Sequence, residues 1–458
     1  MKHKSELMTQ GPLLENILLY TIPIILTILL QRLFNAVDLI IVGQYCGSAS
    51  LGAVGATTFI TNLFVNFFIG LSVGAGVSVA HAYGAKEDEN IQRTVHTAIP
   101  VSLVCGGIIT VAGVLLAKPM LLMMGTPESL VPMATLYMQI YFGGIIFNMV
   151  YNFSAAVLRA VGDTKSPLIF LTIAGVLNVV LNIIFVTVFE MNVAGVALAT
   201  TISQGVSAVL TIWALMRRTD SSKLVLKKIR LYKEQVVKIL RIGLPAAVNS
   251  SLFSISNITI QSSINSFGEI AMSGNTAAAN LIEFVSTISA GFYQSSLNFT
   301  GQNIGANQPA RAKKSVFLCA LYSAAMTLLV SCLTIGFGRD LLAVYVTDSP
   351  EAIEYGMVRL YYICGLWFIG CIMDSLTGAL RGMGKSTVPM IISVLGVCGI
   401  RILWVYTVFQ IPKFHTLQSL FLSYPISWVI TAAAELIAFF IVLKKNAAAC
   451  NIVSPTNA

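Results

Sequence analysis

Ionisable side chains inside long apolar stretches mark the places where this sequence could do chemistry. Six such residues occur: Arg32, Asp38, Glu283, Asp374, Arg401 and Glu435. A charge is costly at membrane depth, so a residue that keeps one there is a candidate for a functional site. Asp38 lies well inside the first apolar stretch, where its carboxyl group can exchange a proton or, with other oxygen atoms nearby, hold Na⁺. We therefore take Asp38 as the first candidate for ion coupling.

Polar side chains spaced four residues apart add neutral oxygen atoms to this candidate. Asn178 and Asn182 fall on one face of the fifth apolar stretch, and Thr200 and Gln204 do so in the sixth. Hydrogen bonding between helices is the structural alternative for such residues. Spacing alone leaves both interpretations open for Asn178, Asn182 and Thr200.

The second half of the chain carries acids at other positions. The residue that corresponds to Asp38 there is Ile260, and the acids are Glu283 and Asp374. Both acids are further candidates for a functional site. Four neutral polar residues are candidates to face a bound molecule: Gln31, Asn35, Gln204 and Asn257.

Other side chains receive structural interpretations. Glu435 lies near the middle of the last apolar stretch and is interpreted as a partner for Arg401. His81 and His96 flank a polar loop and are expected to be solvated. Eight cysteines include no CxxC pair and lie mostly in apolar stretches, which indicates small buried side chains rather than a zinc site or a disulfide framework.

The overall composition shows what must position these groups. Of the 458 residues, 56% are apolar and 10% are charged, whereas soluble domains carry about a quarter charged residues. An integral membrane protein is the class that fits this deficit. The apolar stretches contain no HExxH motif, paired aspartates or Ser/His set, which argues against a membrane-embedded enzyme.

Twelve apolar stretches are long enough to cross a bilayer as helices. Their predicted limits are 16–42, 52–80, 94–117, 130–158, 168–189, 193–216, 238–266, 273–300, 314–336, 352–380, 388–411 and 418–443. The segment 217–241 is a long basic connector, which indicates an amphipathic segment at the membrane surface.

The distribution of Lys and Arg predicts the orientation of these helices. Loops and termini on one side carry 22 of the 28 basic residues. The other side carries four: Lys118, Arg339, Arg359 and Lys413. Positive charge is retained in the cytoplasm, so both termini and the connector are predicted to be cytoplasmic. These basic residues also account for the net charge of +9. We expect them to contact anionic lipid rather than nucleic acid.

An internal repeat divides the stretches into two halves. VLRAVGDTKSP at 157–167 aligns with ALRGMGKSTVP at 379–389, at an offset of 222 residues that also pairs Pro23 with Pro245. Six helices per half make the halves parallel, which is a transporter design. The predicted parts are an N-terminal six-helix bundle (1–216), a cytoplasmic basic connector (217–237), a C-terminal six-helix bundle (238–446) and a cytoplasmic tail (447–458).

Several motifs resemble the multidrug and toxic compound extrusion (MATE) family over about residues 10–445. They are IPIILTILLQRLFNAVDLIIVG in the first helix, IGLP at 242–245, and the paired turns LRAVGDTKSP and LRGMGKSTVP. The resemblance implies an all-α membrane protein with twelve transmembrane helices, in two parallel six-helix bundles that form a V-shaped central cleft. It also implies an inner-membrane antiporter that expels hydrophobic, often cationic compounds in exchange for H⁺ or Na⁺.

The resemblance also implies roles for single residues. Asp38 corresponds to the carboxylate of the family's N-lobe cation site, and Asn178 and Thr200 match other positions of that site. Asn182 stands where many bacterial members have Asp, so this site has one negative charge fewer. The resemblance thus implies one cation site, which binds H⁺ or Na⁺, formed by Asp38, Asn178, Asn182 and Thr200. Asp374 matches an acid used by one branch of the family. That branch also has a Glu in helix seven, where this chain reads NSSLFSISN at 249–257. Glu283 is the nearest substitute for that Glu, so we predict that Glu283 and Asp374 take part in cation coupling.

We therefore predict a secondary active multidrug efflux antiporter that is not an enzyme and needs no cofactor besides its coupling ion. Small hydrophobic or cationic molecules and membrane lipid are the expected partners, without nucleic acid. A monomer in the plasma (inner) membrane is expected. The alternative is a lipid-linked oligosaccharide flippase of the same superfamily, which should have a cationic cleft for pyrophosphate.

Overall fold

The computed structural model describes residues 8–346 and 349–453, and every regular element in these ranges is a helix. The first half of the chain forms α1 (Leu13–Ile41), α2 (Gly47–Gly84), α3 (Asp88–Met123), α4 (Val131–Ala160), α5 (Lys165–Ile183) and α6 (Asn192–Met216). Single π-helical turns prolong α1 over Val42–Cys46 and α5 over Ile184–Val188.

The second half repeats this plan with more interruptions. Its helices are α7 (Lys233–Asn265), α8 (Glu269–Gly305), α9 (Pro309–Gly336), α10 (Gly338–Ala343), α11 (Pro350–Arg359), α12 (Trp367–Gly382), α13 (Thr387–Ser393), α14 (Ile400–Tyr406) and α15 (Leu417–Val453). A π-helical segment, Val394–Gly399, joins α13 to α14. The segment Pro350–Cys364 meets α12 at an angle of 42°.

Length and hydropathy make ten helical segments of the described chain candidate membrane spans, and the bent pair of α11 and α12 gives an eleventh. The twelfth long helix, α8, has 37 residues but falls outside this group. Its buried positions include many polar side chains, such as Asn275, Ser289 and Ser295. These side chains lower its hydropathy while other helices shield them from lipid. The predicted all-α architecture of twelve long helices is confirmed.

Helices α1 and α7 are each divided between the two compact units of the chain. The first unit contains Leu26–Ala247, and the second contains the described residues of Glu6–Ile25 and Val248–Ala458. Each division lies two residues after a proline inside the helix, Pro23 in α1 and Pro245 in α7. Proline removes a helical hydrogen bond, so each helix can change its packing partners at this point. The predicted boundaries follow the internal repeat. The packing differs from them, because the part of α1 before the division belongs to the second unit and the part of α7 before the division belongs to the first.

Close contacts hold both reassigned segments in their units. In the second unit, Thr21 Oγ1 of α1 lies 2.7 Å from Ser295 Oγ of α8. In the first unit, a Cβ atom on Gly74 of α2 would lie 2.0 Å from the carbonyl oxygen of Ile239 in α7. The absence of a side chain at Gly74 therefore permits direct backbone contact between these two helices.

The repeated turns after α4 and α12 each contain a glycine with a positive φ value. Gly162 and Gly384 have φ values of +93° and +75°, in the region that favours glycine. Arg159 and Arg381 lie in the last turns of the two preceding helices, where a cation interacts favourably with the helix dipole. The motif is therefore a structural turn.

The basic connector lies against α3 and covers a histidine. The backbone N–H of Val225 donates to His96 Nε2 at 3.0 Å, and His96 Nδ1 lies 2.7 Å from the carbonyl oxygen of Gln92. His96 is 2% exposed, so the expectation that it is solvated is wrong. The contact spans more than a hundred residues, which a local polarity pattern cannot reveal.

Candidate functional site

A polar cavity of about 200 Å³ lies within the first unit. Six of the residues predicted to bind ion or substrate line it: Gln31, Asn35, Asp38, Asn178, Thr200 and Gln204. They come from three helices, α1, α5 and α6. Asp38 carries the one carboxyl group among the described residues that line this cavity, and none of them is Lys, Arg or His, so the cavity has acidic character.

Asp38 is the centre of a hydrogen-bond cluster. Asn182 Nδ2 donates to Asp38 Oδ1 at 2.5 Å, and Thr200 Oγ1 donates to Asp38 Oδ2 at 3.5 Å. Asn178 Nδ2 lies 3.3 Å from Thr200 Oγ1, and Asn182 Nδ2 lies 3.3 Å from Asn178 Oδ1. The structure thus brings together all four residues of the predicted cation site, although Asn182 does not line the cavity itself.

One hydrogen-bond acceptor of the cluster receives no hydrogen bond within the described part of the chain. Asn182 is fully buried, and its Oδ1 atom has no hydrogen-bond partner there. A buried carbonyl oxygen without a partner is unfavourable, and here it belongs to the side chain that binds Asp38. One carboxylate with neutral oxygens suits a monovalent cation. No group of three or more His, Cys, Asp or Glu side chains in the described ranges could hold a metal ion.

Local helix geometry explains how these residues meet. Asn178 and Asn182 are one turn apart on α5, and the π-helical turn Ile184–Val188 follows directly after them. Asp38 likewise stands four residues before the π-helical turn of α1. Such turns are frequent at functional sites because they rotate a helix face. In addition, Gly175 of α5 leaves room for the ring of Phe34, since a Cβ atom would lie 1.9 Å from its Cε2 atom.

Several cavity residues were missed by the sequence analysis. Tyr141, Asn148 and Asn152 of α4 also line the cavity, and Asn152 Nδ2 donates to Asn148 Oδ1 at 2.8 Å. The two asparagines have the same i, i+4 spacing as Asn178 and Asn182. The signal was therefore present in the sequence and could have been used.

A second cavity, of about 340 Å³, lies within the second unit. Asn257, Glu283 and Asp374 line it, so these three predicted residues belong to a separate cavity from Asp38. Ser289 Oγ donates to Asp374 Oδ2 at 2.5 Å. Asn35 and Asn257 are 222 residues apart, which is the offset of the internal repeat. Asn35 lines the first cavity and Asn257 lines the second.

One interpretation of charged residues in the second half is wrong. Glu435 is fully buried and accepts hydrogen bonds from Thr377 Oγ1 at 2.8 Å and Ser393 Oγ at 3.1 Å, rather than from Arg401. Arg401 instead donates to a serine of α15. Arg359, one of the four basic residues that the charge count assigned to the other side of the membrane, lines the second cavity. Helix pairing decides these partners, and single-chain spacing does not encode it.

Comparison with known proteins connects this geometry to a family. The family model MatE matches the chain twice, over residues 23–184 and 245–407. The two matches begin 222 residues apart, which is the offset of the internal repeat.

Curated relatives cover most of the chain. The probable multidrug resistance protein YpnP of Bacillus subtilis is 31% identical over 393 residues, which span 84% of this chain and 86% of the relative. The FAD transporter of Shewanella oneidensis is 22% identical over 359 residues, which span 78% of this chain and 79% of the relative.

Solved structures show the same fold. The outward-facing conformation of a multidrug resistance MATE family transporter matches with a TM-score of 0.88 at 20% identity, over 97% of this chain and 99% of that one. A transporter of the MOP superfamily from Pyrococcus furiosus, described as having a binding pocket of reverse polarity, matches with a TM-score of 0.84 at 19% identity over the full length of both chains.

Proposed function

Because this chain belongs to the MatE family of multi-pass membrane transporters, we propose that it is a secondary active antiporter that exports hydrophobic or cationic small molecules in exchange for H⁺ or Na⁺. The similarity to YpnP, a probable multidrug resistance protein, supports this class of transported molecule. The family transports molecules and is not a class of enzymes.

The observation that carries the proposal is the cluster around Asp38. A carboxylate in a membrane-spanning helix, bonded by one amide and one hydroxyl, keeps a single negative charge at the wall of a polar cavity. Such a charge is expensive in the membrane. One bound H⁺ or Na⁺ neutralises it, so the site has two states that differ in charge.

Coupling follows from competition for that charge. A ligand can shift a conformational equilibrium only by its difference in affinity for the two states. An exported cation is favoured in the cavity while Asp38 is ionised, and it loses this attraction when Asp38 holds H⁺ or Na⁺. Ion entry therefore promotes release of the exported molecule, and alternating access makes the exchange directional.

The chemistry of the first cavity favours cationic rather than anionic compounds. Gln31, Asn35 and Gln204 offer hydrogen bonds, Phe34 and Tyr141 offer aromatic faces, and Asp38 supplies the charge. Aromatic faces attract cations. A lipid-linked oligosaccharide flippase would instead need cationic side chains for pyrophosphate, so this cavity supports the antiporter proposal better.

The placement in the cell is part of the same proposal. The excess of Lys and Arg in one set of loops supports cytoplasmic termini and a cytoplasmic connector. The two internal halves already supply a complete pair of bundles, so we propose a monomer in the plasma membrane.

Ethidium transport into everted membrane vesicles tests the proposal, with a pH gradient and a Na⁺ gradient applied separately. We expect one gradient to drive transport by the natural protein. Asp38→Asn should abolish it at an equal amount of inserted protein, because this change removes the charge and retains the shape. Asp340→Asn is the matched control, since Asp340 is exposed. Full transport by the Asp38 variant would exclude the proposal.

A further inference from the structure

The second cavity differs in charge from the first because it contains two arginines. Arg359 at the end of α11 and Arg401 on α14 both line it, together with the acids Glu283 and Asp374. Arg401 is 3% exposed and lies inside the helical span Thr387–Gln410. A guanidinium group at this depth needs compensation by an anion or by several acceptors.

The acids of the cavity compensate the two arginines unequally. Glu283 is close enough for its charge to favour that of Arg359, whereas the groups that act on the charge of Arg401 include no carboxylate. Arg401 Nε donates to Ser427 Oγ at 3.1 Å, and Arg359 hydrogen-bonds Asn275 Oδ1. Both of these acceptors are neutral. The two guanidinium groups are also close enough for their charges to repel one another.

Two nitrogen donors on the cavity wall are unused in the described structure. Arg359 Nε and Trp367 Nε1 are buried and have no hydrogen-bond partner among the described residues. Both side chains line the cavity. A buried donor without a partner costs free energy, and an acceptor group of a ligand would satisfy it.

Aromatic rings surround the cationic part of the cavity. The Cζ atom of Arg401 lies 3.9 Å from the ring centroid of Tyr424 and 5.8 Å from that of Trp428. Trp428 meets Trp367 edge-on, with ring centroids 5.2 Å apart. These walls suit a flat apolar body, because aromatic rings pack favourably in offset or edge-on arrangements.

We propose that the second cavity binds an amphipathic aromatic anion, with a single carboxylate, sulfonate or phosphate group held by Arg359 and Arg401 and a flat body against Trp367, Trp428 and Tyr424. Guanidinium groups bind such oxyanions through charge-assisted hydrogen bonds. Glu283 and Asp374 repel further negative charge, which limits the ligand to one anionic group. The volume of about 340 Å³ is in the range of small-molecule sites.

This site goes beyond the proposed export of cations and is independent of it. Its ligand has the opposite charge from the ligand proposed for the Asp38 cavity, and its residues belong to the other unit. A binding measurement therefore tests it without any transport step.

The test uses two probes with the same ring and opposite charges, pyrene-1-sulfonate and pyren-1-ylmethylammonium. Purified full-length protein is titrated in non-ionic detergent, and energy transfer from tryptophan to pyrene is recorded. Trp367 and Trp428 are two of the four tryptophans, so occupancy of the cavity gives a strong signal. We expect the sulfonate to bind at least tenfold more tightly than the ammonium compound.

Three variants assign the binding to the arginines. Arg401→Gln and Arg359→Gln should each weaken sulfonate binding at least tenfold, whereas Arg401→Lys should retain part of it. Arg339→Gln is the matched control, since Arg339 is 70% exposed and pairs with Glu354. Equal affinity for both probes, or unchanged sulfonate binding by folded Arg401→Gln, would overturn the proposal. If Arg401→Gln does not fold, Arg359→Gln and the comparison of the two probes decide.

Discussion

Asn182 of α5 donates a 2.5 Å hydrogen bond to Asp38 of α1, although the two residues are 144 positions apart in the chain. The amide stands between two helices, and its own oxygen has no partner within the described residues. It therefore orients the carboxylate without adding a second charge. This arrangement leaves Asp38 as the single titrating group of its cluster.

The first prediction concerns this amide. Asn182→Leu keeps a similar volume but removes the donor to Asp38, so the carboxylate is no longer held in position for its ion. Loss of a partner that orients a ligand typically costs about 10–100-fold in affinity or activity. We expect ethidium transport to fall by about tenfold, measured in vesicles at equal protein content. A variant that transports at the natural rate would show that the hydrogen bond is structural only.

The second prediction compares two glycines that differ in what faces them. A Cβ atom on Gly74 would meet the backbone carbonyl of Ile239 at 2.0 Å, whereas one on Gly175 would meet the ring of Phe34. A backbone cannot move as a side chain can, so Gly74→Ala should destabilise the protein by about 1–3 kcal/mol, the usual range for overpacking. Gly175→Ala should move the Phe34 ring and lower transport with a smaller loss of stability.

Thermal unfolding in detergent and ethidium transport together check this pair. The prediction for Gly74 depends on α7 packing against α2 within the first unit. Equal stability of the two variants would contradict that packing.

The third prediction concerns pH and the connector. Arg218 donates to Asp220 at 3.0 Å and 2.5 Å, and Ser222 Oγ donates to the same carboxylate at 2.5 Å. Burial alone would raise the pKa of Asp220, but the bonds and charge of Arg218 and the bonds from Ser222 outweigh it and hold this pKa below its ordinary value. Asp220 therefore stabilises the fold above its unfolded pKa of about 4, and this contribution is lost as pH falls through the lower folded value.

Asp220→Asn should accordingly lower the free energy of unfolding by about 1 kcal/mol at pH 7, the size expected for a partly exposed ion pair. The difference from the natural protein should shrink as the pH falls below about 4. Unfolding temperatures at a series of pH values provide the measurement. A difference that stays constant down to pH 3 would contradict the assigned role of the carboxylate.

The helices and the repeat could be predicted from the sequence because the membrane imposes length and apolarity on each span. Hydropathy alone does not identify helix α8 as a span, because its buried face is polar. The internal repeat supplies the missing information, since it requires six helices in each half. Asp38, Asn178, Asn182 and Thr200 each stand out as polar within an apolar stretch, and the resemblance to the MATE family groups them into one site.

The features that the sequence did not predict depend on contacts between distant segments of the chain. Burial of His96 requires the connector to return to α3, and the partners of Glu435 require α15 to lie against α12 and the α13–α14 span. None of these features leaves a periodic signal in the local sequence.

Competition between the coupling ion and ethidium tests the role of Asp38 most directly. Ethidium anisotropy with purified protein is measured while Na⁺ replaces choline at constant ionic strength, and separately while the pH is lowered. We expect one of the two ions to weaken ethidium binding at least tenfold in the natural protein and in Asp340→Asn, and to have no effect in Asp38→Asn. Displacement of ethidium by that ion to the same extent in Asp38→Asn would show that Asp38 is not the site of competition.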